Sequence, residues 1–381
     1  MIELSKILNK NEHFGVVDKD TEEAIISYVE GRMRGLKYKS ADVGYAITRF
    51  NFEIKDIQAA VMYSSNSNIR KILSFEAGVE NVNILIDNKL KLFCIDVPNK
   101  LSNYLAMGDG IKYLEKIPKN NNECLFYIGE SVDGTHRIYN LADPTSCHFL
   151  IGGGTGYGKS TLLHDIILTS LCRYDKSELE INFIDLKKVT ANSYHGIPQV
   201  TKIIEEKDEA YVYLQNLIRV MQTRNERFKE VGVEDIGQYN DKVSSSDKLP
   251  RIIVVIDEAD VLLGSVQKDS LTSNIVECVR QLTALARSEG IHIILASQKP
   301  VGANIPTLIK TNVHGRIAFK CESVHDSIAI LENKLAKSLS GVGDAIAKYT
   351  MNNQDFYPRT QIAYINPQER AIIQDMLRKS C

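Results

Sequence analysis

Between Gly153 and Ser160 the chain spaces two glycines, a lysine and a hydroxyl as Gly-x-x-x-x-Gly-Lys-Ser. Glycines in such a run let successive backbone N–H groups converge on one point without Cβ clashes. A helix that starts there adds its positive end. An ammonium (Lys159) and a hydroxyl (Ser160) at the close of that loop suit phosphate oxygens and Mg²⁺ respectively. The spacing fits the P-loop pattern, so the chemistry implied is capture of a nucleoside triphosphate, with ATP expected. The expected contacts are Gly153, Gly154, Thr155, Gly156, Tyr157, Gly158, Lys159, Ser160 and Thr161. Tyr157 receives no catalytic role and is expected to face solvent or a neighbouring subunit.

A second constellation supports the first. Asp257 and Glu258 end the apolar run "RIIVVI" (251–256). Adjacent side chains at a strand end diverge, so one carboxylate can hold Mg²⁺ while the other orients and polarises water. Asp257 joins Ser160 as a metal ligand, and Glu258 takes the water. Alone, an Asp-Glu pair after a strand is usually a solvated turn; the loop upstream decides for chemistry. Gln298 follows the next apolar run, "IHIILAS" (291–297). It is either a plain polar loop residue or a group that reports hydrolysis by exchanging hydrogen bonds near the terminal phosphate.

The elements that must hold these residues alternate after His148. Strands are expected at 148–152, 180–185, 251–256, 291–297 and 315–320, with helices between them, the longest over 205–230. That alternation predicts an α/β fold with a mostly parallel sheet covered on both faces. Upstream, Asp20 with Glu23 looks like a capping-box start to "TEEAIISYVEGRMRGL". Residues 1–40 therefore read as a helical extension and 41–145 as a small α+β domain. That domain would contain the strand "YAITRFNFEI", the helix "NSNIRKILSFEAGV" and a hairpin turning at Asp87-Asn88. Residues 146–381 would form the nucleotide-binding domain.

Composition narrows the class. The 381 residues are 44% hydrophobic and 25% charged, ordinary for a soluble globular chain. No apolar run approaches the roughly 18 residues a membrane helix needs, and no signal peptide is visible, so a cytoplasmic location is expected. Seven cysteines without a CxxC pair argue for reduced thiols and against a zinc site. The net charge of −2 argues against a free-standing nucleic-acid binder, so any such contact must come from local clusters. His148 and His292 flank buried strands and read as structural.

More motifs now fall in order. They are "GYAITRF" (Gly44 to Phe50), "IDVPNK" (95–100), "IGESVDG" with "LADPTSCHFLIGG", "LIRVMQTRNERFKEVGVEDIGQYN" (217–240), "VVIDEAD", "ARSEGIHIILASQKP", "IPTLIKTNVHGRIAF" and "GVGDA". With them the chain resembles the FtsK/SpoIIIE DNA-translocase family over roughly 43–365. The resemblance implies a RecA-like motor, a hexameric ring around duplex DNA, and ATP hydrolysis at subunit boundaries. The small domain would be a second tier of that ring. Arg316 matches the family's arginine in "T-R-I-A-F" and is the expected trans-acting cation, with Arg280 and Arg287 as competitors. For a phosphate backbone, Lys187, Lys188, Lys299 and Lys310 stand on loops at strand ends.

Departures qualify the match. Gly154 and Tyr157 replace the family's usual Thr and Ser, Lys299 precedes Pro300 where an Arg is usual, and Glu234 replaces an Arg. With no recognisable winged-helix or membrane region, the resemblance implies a motor of a plasmid, phage or conjugative element, with a membrane or conjugation-machinery partner. The alternative is a related coupling or secretion ATPase that moves or recruits protein. A nucleotide-gated scaffold with little hydrolysis is a third reading, disfavoured by the intact Lys159, Asp257 and Glu258.

Overall fold

A computed structural model describes residues 18–88, 90–99, 104–264, 269–300, 304–351 and 354–379. Residues 1–17 of the expected helical extension lie outside the described residues.

A small antiparallel sheet comes first. It comprises β1 (Leu36–Val43), β2 (Ile47–Ile54), β3 (Asn83–Asp87) and β4 (Leu92–Pro98), in the order β1-β2-β4-β3. The helix Lys19–Arg32 buries Ile25 and Val29 against Phe50, Phe52 and Phe93 of this sheet. Its cap is Asp18, not Asp20: the Asp18 carboxylate accepts from the Asp20 N–H at 3.3 Å and from the Thr21 hydroxyl at 3.0 Å. The helix stops short of residue 40 because Gly35, at φ +81°, turns the chain into β1, and an added Cβ there would lie 2.6 Å from Asp56 Cβ. The buried Leu36 and half-buried Tyr38, two apart, carry the strand signal that the helical reading passed over.

The larger sheet holds β5 (Leu105–Ala106), β6 (Leu125–Ser131), β7 (His136–Asn140), β8 (Phe149–Gly152), β9 (Leu179–Ile184), β10 (Val200–Ile204), β11 (Arg251–Ile256) and β12 (Ile291–Ser297). It continues with β13 (Gly315–Phe319), β14 (Asp344–Met351), β15 (Gln354–Phe356) and β16 (Arg359–Tyr364). The order is β10-β9-β11-β12-β8-β13-β14-β16-β6-β7, with β15 on β14 and β5 on β16. From β10 to β13 every pairing is parallel, and from β13 to β7 every pairing is antiparallel. The parallel half contains all five strands expected from the apolar runs. Residues 105–140, grouped by the sequence with the small domain, instead hydrogen-bond into this sheet through β6 and β7.

Both faces of the parallel half are covered. The helix Lys159–Arg173 packs Leu163 and Ile167 with Phe149 and Phe183 on one face. The helices Lys207–Val231 and Ser270–Leu285 pack Leu214, Leu217 and Leu282 with Val254 and Ile293 on the other. Side chains of both orientations along β8, β11 and β12 are therefore mostly apolar, with Arg251 and His292 at the amino ends of β11 and β12 as exceptions, and the nucleotide chemistry collects at the carboxyl ends of these strands.

A buried ion network ties the two sheets together. Arg49 of β2 donates to both oxygens of Asp96 in β4, at 2.6 and 3.0 Å. Arg359 of β16 donates to Asp96 at 3.2 Å and to Asp344 at 2.9 and 2.7 Å. Burial of Asp96 works against its charge, but the two guanidiniums outweigh burial and hold the carboxyl below its ordinary range. We expect Arg359→Met to lower stability by about 3–5 kcal/mol, because it leaves buried carboxylates short of a partner. A depressed folded-state pKa contributes stability above the unfolded value of about 4 and loses it as pH falls further. The gap between parent and variant in urea titrations should therefore start to narrow near pH 4 and close only as pH falls through the depressed folded-state value; a constant gap across pH would contradict this account.

Candidate nucleotide site

The glycine loop is shaped by what lies beneath it. Gly153 adopts φ +148°, and a Cβ there would sit 2.6 Å from Phe319 Cβ at the end of β13. Gly158, at φ +118°, opens the helix Lys159–Arg173, and its Cβ would lie 3.0 Å from Phe319 Cε1. The loop backbone is also tied down laterally: Gly154 N–H donates to Lys320 O at 3.0 Å, and Gly343 N–H donates to Tyr157 O at 2.9 Å. Tyr157 does not simply face outward as expected. It is half-buried against the core, with Lys320 Nζ 5.7 Å from its ring centroid. A Cβ on Gly154 would come within 2.9 Å of that ring. The two departures from the family's usual loop are therefore complementary, a large side chain at 157 fitting a missing one at 154.

Around the loop the ionic groups converge. Lys159 Nζ lies 3.2 Å from Glu258 Oε1 and 3.7 Å from Asp257 Oδ1, and Lys159 is buried. Asp257 accepts from the Glu258 N–H at 2.9 Å and from the Thr190 hydroxyl at 2.6 Å. Glu258 takes φ +50°, a left-handed conformation costly for a residue with a side chain and typical of functional turns. Gln298 Nε2 donates to Glu258 Oε1 at 2.7 Å, while its Oε1 accepts from the Thr155 hydroxyl at 2.9 Å. Gln298 thus bridges the glycine loop to Glu258. Burial opposes ionisation of Glu258, yet Lys159, the Gln298 amide and Lys187 outweigh it and hold the carboxyl below its ordinary range. Ser160 is exposed in the first helical turn and Thr161 is half-buried beside it. A hydroxyl at Ser160 and a carboxylate at Asp257 are the hard oxygen donors that a phosphate-bound Mg²⁺ takes while keeping several waters.

Other expected residues sit differently. Arg316 is buried, and its guanidinium donates to the carbonyls of Val313, Ile330 and Lys310 at 3.0, 2.8 and 2.6 Å. It also pairs with the Glu332 carboxylate at 3.4 Å, and with a side chain only 4% exposed it has a structural place in this chain. Arg280 is ion-paired with Glu277 one turn earlier, and Arg287 is exposed. Lys310 Nζ is half-buried and bound to Pro300 O at 3.2 Å. Lys188 pairs with Glu205 and Glu206 at 3.2 and 3.3 Å. Lys299 is exposed. Lys187 turns inward to Glu258 at 3.3 Å and joins the nucleotide site. His148 and His292 are fully buried; Ile293 N–H donates to His148 Nδ1 at 3.0 Å, and burial lowers the pKa of both rings.

Two residues escaped sequence reasoning. Asp185 closes β9 and anchors the following loop, and Thr190 on that loop reaches Asp257. The rule that singled out Asp257, an acid at the end of an apolar strand, applies equally to Asp185.

A glycine cradle at a helix start, an acidic pair across the strand ends and a doubly covered parallel sheet define a P-loop ATPase of the α/β class. Residues 115–301 match the FtsK/SpoIIIE family. The chain is 32% identical over 323 residues to the DNA translocase FtsK of Streptococcus agalactiae, covering 82% of this chain and 38% of that protein. It is 29% identical over 350 residues to the DNA translocase FtsK of Corynebacterium glutamicum, covering 88% of this chain and 36% of that protein. The protein belongs to the FtsK/SpoIIIE family, and it spans well under half the length of these relatives. Among solved structures, the pCW3 conjugation coupling protein TcpA, in a monomer form with ATPgS, superposes with a TM-score of 0.66 at 25% identity. That match covers 95% of this chain and 99% of the other. The cytoplasmic domain of the Type VII secretion ATPase EccC of Thermomonospora curvata shares the fold, with a TM-score of 0.60 at 21% identity over 72% of this chain and 34% of that one. Among the described residues no helix is long and apolar enough to cross a membrane.

Proposed function

We propose that this chain is the ATP-driven motor of a conjugative or related mobile element, moving duplex DNA through a hexameric ring. The observation that carries the reading is the near end-to-end correspondence with the conjugation coupling protein TcpA, joined to translocase relatives that extend far beyond this chain. The EccC likeness is one of fold and gives a protein cargo no separate support.

The residues divide the work as follows. Amides of the 153–158 loop and Lys159 bind the phosphates. Ser160 and Asp257 would hold Mg²⁺, which supplies charge compensation at the phosphates when bound. Glu258, kept ionised, orients the attacking water and accepts its proton. Gln298 joins Thr155 to Glu258, so a change at the loop alters the hydrogen bonding of that carboxylate. Arg287 and Arg280, carried on or beside one helix, are the better placed cations for a neighbouring site, in place of Arg316. Lys188 and Lys299 remain for the phosphate backbone, which a motor must grip without reading bases. A partner in the conjugation machinery would place the ring at the membrane.

Duplex DNA at low salt should raise steady-state ATP turnover several-fold, and added salt should remove the effect as the backbone contacts weaken. Turnover indifferent to duplex DNA at low salt would overturn the proposal.

A further inference from the structure

The loop after β9 begins at a carboxylate whose oxygens are already engaged. Asp185, 1% exposed, accepts from the N–H groups of Val189, Thr190 and Ala191 at 3.0, 2.8 and 3.0 Å through one oxygen. Through the other it accepts from Lys187 N–H at 3.2 Å. Four main-chain donors on one buried acid fix the shape of a surface loop, and Lys188 within it takes φ +59°. So fixed, the loop delivers two contacts to the hydrolytic carboxylates: Thr190 to Asp257 at 2.6 Å, and Lys187 to Glu258 at 3.3 Å.

Glu258 Oε1 thereby faces three donors, Lys159 at 3.2 Å, Lys187 at 3.3 Å and Gln298 at 2.7 Å. A carboxylate oxygen offers about two lone-pair positions, so three donors crowd Oε1 and hold the carboxylate in one orientation, leaving a water the other oxygen. The donors differ in who else can claim them. Lys159 belongs to the phosphate cradle and has a side chain only 8% exposed, and Gln298 is held in place by the Thr155 hydroxyl, which donates to its amide oxygen. The Lys187 side chain is 49% exposed and open to an anion arriving from outside the nucleotide site.

We propose that Lys187 restrains the orientation of the Glu258 carboxylate through Oε1, and that a phosphate backbone touching the 186–190 loop draws the Lys187 ammonium away and frees the carboxylate to turn toward water. The inference rests on the reading of duplex DNA as the transported polymer. Lys187 is then a positioning residue that couples cargo to hydrolysis, rather than a simple anchor for DNA. Because two anions compete for one cation, the coupling is reciprocal: whatever weakens Glu258 as a partner strengthens the polymer.

The reciprocity gives a test that needs no hydrolysis. Duplex DNA affinity is measured by fluorescence anisotropy on the full chain with a slowly hydrolysed ATP analogue. Glu258→Gln should bind duplex several-fold more tightly than the parent, and the same change in a Lys187→Ala background should bring no gain. Separately, without DNA, Lys187→Ala should hydrolyse ATP several-fold faster than the parent, and Lys187→Arg should restore the parent rate. Unchanged affinity in Glu258→Gln, an equal gain in the double variant, or slower DNA-free turnover in Lys187→Ala would each overturn the restraint. If neither parent nor variants bind duplex while Lys187→Ala is still faster, the restraint stands and the DNA reading is the part that fails.

Discussion

A Lys159→Ala chain should lose ATP turnover by on the order of 10²–10³-fold or more, the scale of removing one preorganised donor from a site of developing charge. Lys159 stands at the N-terminal end of its helix, where backbone amides and the helix dipole already favour anions. Those groups remain in the variant, so some nucleotide binding should survive while the terminal phosphate loses its cation. The change has a second consequence, because Lys159 also lies against Glu258 and Asp257. Without it, Glu258 keeps Lys187 as an ammonium partner and Asp257 loses its own. Binding of a fluorescent ATP analogue, steady-state hydrolysis and a thermal melt on the same preparation separate these effects. Hydrolysis within tenfold of the parent in a folded variant would remove Lys159 from the site.

Glu258→Gln should behave differently: turnover lower by about 10²–10⁴-fold, the usual contribution of a positioned base, with nucleotide affinity within a few-fold of the parent. The amide keeps the size of the acid and can still accept from Lys159 and Lys187, but it cannot take a proton from water. Gln298 must then share its amide with another amide instead of a carboxylate. A parallel loss of affinity would assign Glu258 to phosphate or metal binding instead of water. Measuring the affinity and the single-turnover rate in one experiment distinguishes the two.

Much of the nucleotide site could be read from the sequence because its signals are local. A loop of fixed spacing between an apolar strand and a helix has few other uses, and the apolar runs of β8, β11 (252–256) and β12 (293–296) suit a doubly covered sheet. The roles that depend on tertiary contacts were not legible. Arg316 looks like any arginine after a glycine until the carbonyls of Val313, Ile330 and Lys310 are folded around it. Lys187 and Lys188 are neighbours with the same chemistry, yet one turns to Glu258 and the other to Glu205 and Glu206, because Asp185 sets the backbone between them. The antiparallel half of the larger sheet escaped for a similar reason. β6 is buried along its whole length and reads by itself as a member of whichever core is nearest in sequence, and the partner that joins it and β7 to the larger sheet, β16, arrives more than two hundred residues later.

Phe319 under the glycine loop leads somewhere else in the molecule. It pairs with Ala345 across β13 and β14, β14 pairs Ile346 with Arg359 of β16, and the Arg359 guanidinium ends on Asp96 of the small sheet. The ground beneath the phosphate cradle and the small sheet are thus spliced by backbone pairing and one buried arginine, so that neither can be redrawn in the sequence without regard to the other.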